Sequence, residues 1–149
     1  MKHLILTMLI AAVPVIELRG AIPYGVTMGL SPATAFCAAV LGNLMPVPII
    51  ILFVRKVFDF LRNRPFWKEK IIYLERKANL KGRAVRKYRV LGLMVLVAIP
   101  LPGTGAWTGA LVAALLEIRL RTALPTIFVG LLLAGSIMLT ITYGVGTLL

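Results

Sequence analysis

The 149 residues are 60% hydrophobic and only 15% charged, with a mean hydropathy of +0.95 and a net charge of +12. Soluble domains average roughly 25% charged residues, so this composition argues against a soluble fold and predicts an all-α integral membrane protein of one domain. The single Cys37 excludes an intramolecular disulfide and a multi-cysteine metal site, and we expect no cofactor.

Residues 1–30 predict a re-entrant hairpin, a helical pair that enters and leaves the membrane on the same side. The apolar run 4–16 is shorter than the roughly 20 residues that a spanning helix needs, and a second apolar run follows at 21–30. Charged residues and helix breakers lie between the two runs or inside their adjoining ends: Pro14, Glu17, Arg19, Gly20 and Pro23. We therefore expect the elbow of this hairpin in the polar stretch between the runs.

Residues 32–54 predict the first transmembrane helix. Ser31 is a suitable N-cap, and Pro32 suits the first helical position. The 23 residues that follow give roughly 34 Å of helix, enough to cross a bilayer. Three residues within the span predict a kink with a polar side chain facing protein: Asn43, Pro46 and Pro48.

Residues 55–89 predict a basic, amphipathic segment at the cytoplasmic membrane surface. They hold 13 Lys/Arg and 3 Asp/Glu, which is a net charge of +10, interspersed with apolar and aromatic residues. The excess of positive charge places the segment in the cytoplasm, where anionic lipid headgroups are its expected partners. No nucleic-acid-binding motif accompanies the charge, so we expect no nucleic acid partner.

Residues 90–118 predict a second re-entrant hairpin, although their number would allow a full span. Pro100, Pro102 and Gly103 break the helix, because Pro102 lacks an N–H group and disfavours α geometry at Leu101. Lipid cannot satisfy the freed backbone groups, so such a break must be surrounded by protein or by a watery cavity. A hairpin also returns the chain to the cytoplasmic side for the arginines that follow, Arg119 and Arg121.

Residues 122–149 predict the second transmembrane helix, with Thr122 as its cap and Pro125 in its first turn. The predicted order of a hairpin followed by a span therefore occurs twice in the chain. Ala21-Ile22-Pro23 matches Ala98-Ile99-Pro100. If the hairpins enter from opposite sides, the halves form inverted repeats whose broken helices face each other near the bilayer midplane.

Two separated motifs resemble the small multidrug export protein family, a relative of the DedA/VTT membrane protein superfamily. The motifs are E-L-R-G-A-I-P-Y-G, from Glu17 to Gly25, and A-I-P-L-P-G-T-G-A-W-T-G, from Ala98 to Gly109. The resemblance covers nearly the whole chain and implies a multi-pass prokaryotic cell membrane protein with two re-entrant hairpins. It also implies a role in the translocation of lipid-carrier phosphates, in proton-coupled physiology or in drug sensitivity.

Residues of this chain match the family patterns at two places. Glu17 and Arg19 occupy the acidic and basic positions of the first motif, and Pro102-Gly103 the P-G of the second. The DedA pattern places an arginine just after that P-G, whereas this chain has Thr104 there. This departure leaves Arg19 as the candidate for gripping a phosphate.

The candidate residues for binding a substrate or a proton lie in the two hairpins and the first span: Glu17, Arg19, Gly20, Pro23, Asn43, Pro100, Pro102, Gly103, Thr104, Gly105 and Trp107. Glu17 either exchanges a proton or forms a structural pair with Arg19, since an ionisable group within a membrane segment is a functional candidate by default. The Gly/Thr-rich turn before Trp107 is either an anion site at a helix N-terminus or simply a tight turn. Asn43 is expected to hydrogen-bond a hairpin turn, and Trp107 either packs or stacks on a substrate.

These features predict a small membrane transporter or flippase for an amphipathic substrate, such as a lipid phosphate or a drug-like cation, coupled to protons through Glu17. The alternative is a non-transporting membrane protein that supports lipid organisation or the assembly of a partner. The sequence lacks a nucleophile–base set, a P-loop and a dinucleotide fingerprint, so we do not expect an enzyme. One chain encloses little volume, which favours a homo-oligomer, most simply a dimer.

Overall fold

The computed structural model describes residues 1–65, 68–70, 72–73, 82–101 and 104–146, and all regular structure among them is helical. Within these described ranges, two helical stretches are long and apolar enough to cross a membrane, Pro32–Leu61 and Leu120–Gly144. Shorter apolar helices accompany them in both halves of the chain. Parts of the predicted basic segment (66–67, 71 and 74–81), together with Pro102 and Gly103, lie outside the described residues.

The first half opens with two short helices, α1 (Lys2–Ala12) and α2 (Glu17–Thr27). The break between them falls at residues 13–16, before the predicted elbow, so the expected position was wrong. Pro14 explains the difference, because a residue before proline avoids α geometry and Val13 is extended, with φ −74° and ψ 130°. Pro23, in contrast, lies inside α2, where the helix loses one backbone donor but continues.

The first predicted span consists of two consecutive helices, α3 (Pro32–Leu44) and α4 (Pro46–Arg62). The Ser31 cap is confirmed, since its hydroxyl accepts the N–H of Thr34 at 3.3 Å. The predicted interruption occurs at Met45, directly before Pro46. The helix continues to Arg62, beyond the predicted end at residue 54, because the first basic residues mark a change in polarity and do not end a helix.

The second half has the same order, with α5 (Gly82–Ala98), α6 (Ala106–Leu115) and α7 (Leu120–Gly146). The predicted break is confirmed, because no helix is assigned to the described residues between Ala98 and Ala106. The predicted cap at Thr122 is wrong: α7 begins at Leu120, and the carbonyl of Arg119 accepts the N–H groups of both Thr122 and Ala123 at 2.8 Å. Pro125 lies inside α7.

Glycines allow the helices of each half to pack closely. In the first half α1 packs on α3, and in the second half α5 packs on α7. A Cβ atom at Gly42 would collide with the backbone of Met8, and one at Gly130 would meet the carbonyl of Met94 at 2.9 Å. Small residues permit such close helix contacts in membrane proteins.

The two halves correspond residue by residue in these elements. The ends of α2 and α6, the starts of α3 and α7, and the glycines Gly42 and Gly130 are each 88 residues apart (130 − 42 for the glycines). The predicted match of Pro23 with Pro100 is out of register, since Pro23 lies inside a helix and Pro100 in a break. Pro14 is the counterpart of Pro100 instead, at the offset of 86 residues that also separates the ends of α1 and α5 (98 − 12).

Helices of the two halves also pack against each other. Helix α2 packs on α7, which belongs to the second half, and α6 packs on α4, which belongs to the first. The core between them is rich in alanine, with Ala21, Ala39, Ala106 and Ala110 completely buried. This packing brings the start of α2 next to the start of α6.

Candidate functional site

Glu17 is the first residue of α2 and is only 6% exposed. It follows the Pro14 break, and its φ of 48° lies in the left-handed region that non-glycine residues rarely adopt. Strained backbone of this kind is concentrated at functional sites. The carboxylate of Glu17 is therefore buried and attached to a backbone position of unusual geometry.

The carboxylate of Glu17 reaches the N-terminus of α6. Its Oε1 accepts the backbone N–H of Trp107 at 3.4 Å. The first turn of a helix has N–H groups without partners and a partial positive charge, so a carboxylate is stabilised there. Helix α6 has no side-chain cap of its own at Gly105. Glu17 thus acts as an N-cap supplied from the other half of the chain.

Gly105 makes this approach possible for two reasons. Its φ of 131° is a conformation that only glycine adopts readily. In addition, a Cβ atom at this position would overlap the carboxylate of Glu17. The predicted glycine-rich turn is therefore a tight turn and also the surface on which Glu17 lies.

Arg19 binds the turn that precedes α6. Its Nη2 donates to the carbonyl oxygen of Thr104 at 2.9 Å and lies 3.1 Å from the Thr104 hydroxyl. The same hydroxyl lies 2.6 Å from the Ile99 carbonyl and 2.7 Å from that of Leu101. Arg19 and Thr104 together tie the second break to the start of α2.

Trp107 links the junction to α1. Its indole Nε1 donates to the carbonyl of Ala12 at 3.1 Å, and Ala12 is the last residue of α1. This hydrogen bond satisfies one of the carbonyls that a helix end leaves without a partner. The contact supports the packing role for Trp107 over the stacking role.

A small pocket opens beside Glu17 and has room for about one water molecule. It is lined by residues of α2, α5, α7 and the second break: Glu17, Leu18, Arg19, Val97, Pro100, Gly105, Leu131, Ala134 and Met138. The three α7 residues were not predicted. Their spacing places them on one helix face, which was the available indication in the sequence.

The structure thus brings six of the predicted residues to one junction: Glu17, Arg19, Pro100, Thr104, Gly105 and Trp107. Gly20 and Pro23 lie further along α2. Asn43 is completely buried, and neither polar atom of its side chain has a hydrogen-bond partner among the described residues. The expected bond from Asn43 to a hairpin turn is therefore not found in the described part of the chain.

Comparison with known proteins identifies one family. The family described as "Putative small multi-drug export protein" matches residues 17–137, which include the whole junction. No curated protein and no solved structure matches the chain.

Proposed function

The chain belongs to the small multidrug export family, and from this premise we propose that it is a small membrane transporter or flippase. The family description and the two apolar helical stretches are consistent with a membrane protein. The observation that carries the proposal is the meeting of two helix breaks around a buried carboxylate. Broken helices and a desolvated charge are costly in a membrane and are typical of transport sites.

We propose that each hairpin crosses about half of the bilayer. Helices α2 and α6 have 11 and 10 residues, so they are about 15–17 Å long, roughly half of a hydrocarbon core of about 30 Å. The matching positions in the two halves support an internal repeat. The basic segment would lie in the cytoplasm of a prokaryotic cell, so the first hairpin enters from outside and the second from inside.

Glu17 is the proposed coupling group. As a carboxylate it is attracted to the N-terminal end of α6, and protonation removes that charge. A protonated Glu17 therefore holds α2 and α6 together less strongly, which provides a physical link between proton uptake and opening of the junction. Arg19 supplies a cation for a lipid phosphate, whereas an ionised Glu17 would attract a drug-like cation.

A substrate larger than water needs more space than this junction offers. We propose that two copies of the chain assemble and that both copies contribute to the path of the substrate. The proposal does not include enzymatic chemistry or a cofactor. The small pocket also favours the second candidate, a non-transporting membrane protein that organises lipid or assists a partner.

Flux measurements in proteoliposomes test the proposed function. Wild type, Glu17→Gln and Glu69→Gln are compared with and without a pH gradient, using a labelled lipid phosphate and a cationic dye. Glu69 is an exposed glutamate of the basic segment and serves as the control.

We expect flux that depends on the gradient in wild type and in Glu69→Gln, and its loss in Glu17→Gln. Full flux in Glu17→Gln would contradict the role of the carboxylate. Absence of flux for both substrates in wild type would favour the non-transporting candidate.

A further inference from the structure

Two arginines from different helices meet the turn that follows α6. Arg55 lies on α4, and its Nη2 donates to the carbonyl of Ile118. Arg89 lies on α5, and its Nη1 lies 3.5 Å from the carbonyl of Leu116. Both side chains are partly buried, whereas the nearby Arg121 is exposed. Their position at the cytoplasmic end of the proposed hairpin is not explained by the junction at Glu17.

The turn itself explains why cations are useful there. The N–H of Ile118 donates to the carbonyl of Ala113 at 2.9 Å, and that of Glu117 to Ala114 at 3.2 Å. This is the Schellman arrangement, with Glu117 at the left-handed position, φ 53°. The arrangement satisfies two helix carbonyls, and the later carbonyls of Leu116 and Ile118 are those that the arginines approach.

Helix α6 therefore meets charges of the favourable sign at both ends, although the carboxylate of Glu117 also lies in its C-terminal turn. The carboxylate of Glu17 lies at its N-terminus, where the helix dipole is positive, and two guanidinium groups lie at its C-terminus, where the dipole is negative. Hydrogen bonds between charged and neutral groups are about twice as strong as neutral ones. These contacts at its two ends restrict movement of α6 along its own axis, in addition to the sideways movement that helix packing restricts.

We propose that Arg55, assisted by Arg89, is a positioning residue that fixes the height of α6 and so places Gly105 and Trp107 against Glu17. The arginines act about 15 Å from the junction, the length of the ten-residue helix. The proposal concerns the position of α6 and holds whether or not the chain transports a substrate.

Trp107 provides a direct measure of this position, because its indole bonds to Ala12 beside the junction. The chain has two tryptophans and four tyrosines, so a Trp67→Phe background leaves Trp107 as the only tryptophan, and it is excited selectively at a wavelength where tyrosine absorbs little. Emission maximum and acrylamide quenching are recorded in lipid vesicles for the parent, Arg55→Gln, Arg55→Lys, Arg89→Gln and Arg121→Gln. Circular dichroism reports whether each variant keeps its helices.

We expect Arg55→Gln to shift Trp107 emission to the red and to raise its quenching, and Arg89→Gln to do so more weakly. Arg55→Lys restores part of the parent signal, because it keeps the charge. Arg121→Gln, which removes the same charge from an exposed site, leaves the spectrum unchanged.

Parent-like emission and quenching in both Arg55→Gln and Arg89→Gln would overturn the proposal. If Arg55→Gln loses its helices, Arg55→Lys and Arg89→Gln decide the question, and parent-like spectra in both would overturn it equally. A shift of the same size in Arg121→Gln would also overturn it, since any lost surface charge would then have the same effect.

Discussion

Glu17 performs at the start of α6 the task that a Ser or Asp side chain usually performs from within the same helix. It accepts the N–H of Trp107 and places negative charge at the positive end of the helix dipole. A cap from another part of the chain differs in one respect, because it can be withdrawn without unfolding the helix that it caps. This property is what the coupling role proposed for Glu17 requires.

Gly105→Ala tests how closely Glu17 approaches the turn. The new Cβ atom would overlap the carboxylate, and alanine disfavours the positive φ. Strained backbone alone costs on the order of 1–3 kcal/mol, so we expect a clear drop in the thermal unfolding temperature in detergent.

Gly92→Ala is the control for this substitution, because a Cβ atom at Gly92 meets no neighbour within 4 Å. Its unfolding temperature should equal or exceed that of wild type, since alanine favours a helix over glycine. Equal stability of Gly105→Ala and wild type would contradict the geometry described for the junction.

At this scale the sequence identified the charged residues of the junction but not their partners. Glu17 and Arg19 were recognisable because charges within an apolar segment are costly. Their contacts with Trp107 and Thr104 join residues 90 and 85 positions apart, and no local pattern encodes such distances. Arg55 was recognisable only as the first charge after a span, since its carbonyl partner depends on how α4 packs on α6.

The elements are organised by two equivalent glycine contacts. Gly42 brings α3 onto the backbone of Met8, and Gly130 brings α7 onto that of Met94. Met8 and Met94 each lie four residues before the end of their helix, so both halves use the same register. The contacts fix the distance between α1 and α3 and between α5 and α7.

Gly42→Ala and Gly130→Ala should each destabilise the protein, because the added Cβ atoms force a backbone to move. Overpacking of this kind typically costs about 1–3 kcal/mol. The measurement is the unfolding temperature in detergent, with Gly144→Ala as the control, because that position has open space around it. Wild-type stability in both core variants would show that the helices do not pack at these points.

The break at Pro100 was predictable, because proline acts directly on the preceding residue, whereas the first break lies at Pro14 and had been expected further along the chain. Pro23 was misleading, because proline removes one donor but tertiary packing can keep the helix intact, and α2 packs on α1, α3 and α7. The end of α4 was misplaced for a related reason. Charge indicates where a membrane surface lies, whereas helix ends are set by backbone hydrogen bonds.

On the scale of the whole molecule, each half supplies a short helix that packs on the other half. Helix α2 lies on α7 and α6 on α4, so their N-terminal ends meet at Glu17. If the halves have inverted topology, this junction lies near the middle of the membrane and can be reached from either side in turn. In the proposed transporter, alternating access would then require one proposed hairpin to move against the other.

Labelling of single cysteines in oriented vesicles tests this central claim most directly. Cys37 is exposed and is first replaced by serine. A cysteine then replaces, one at a time, His3, Ser31, Tyr88 or Arg121, all of which are exposed residues flanking the two hairpins. We predict that an impermeant maleimide labels positions 3 and 31 from outside, and positions 88 and 121 only from the cytoplasmic side. Labelling of the two members of either pair from opposite sides would show that the segment spans the membrane and would contradict the account.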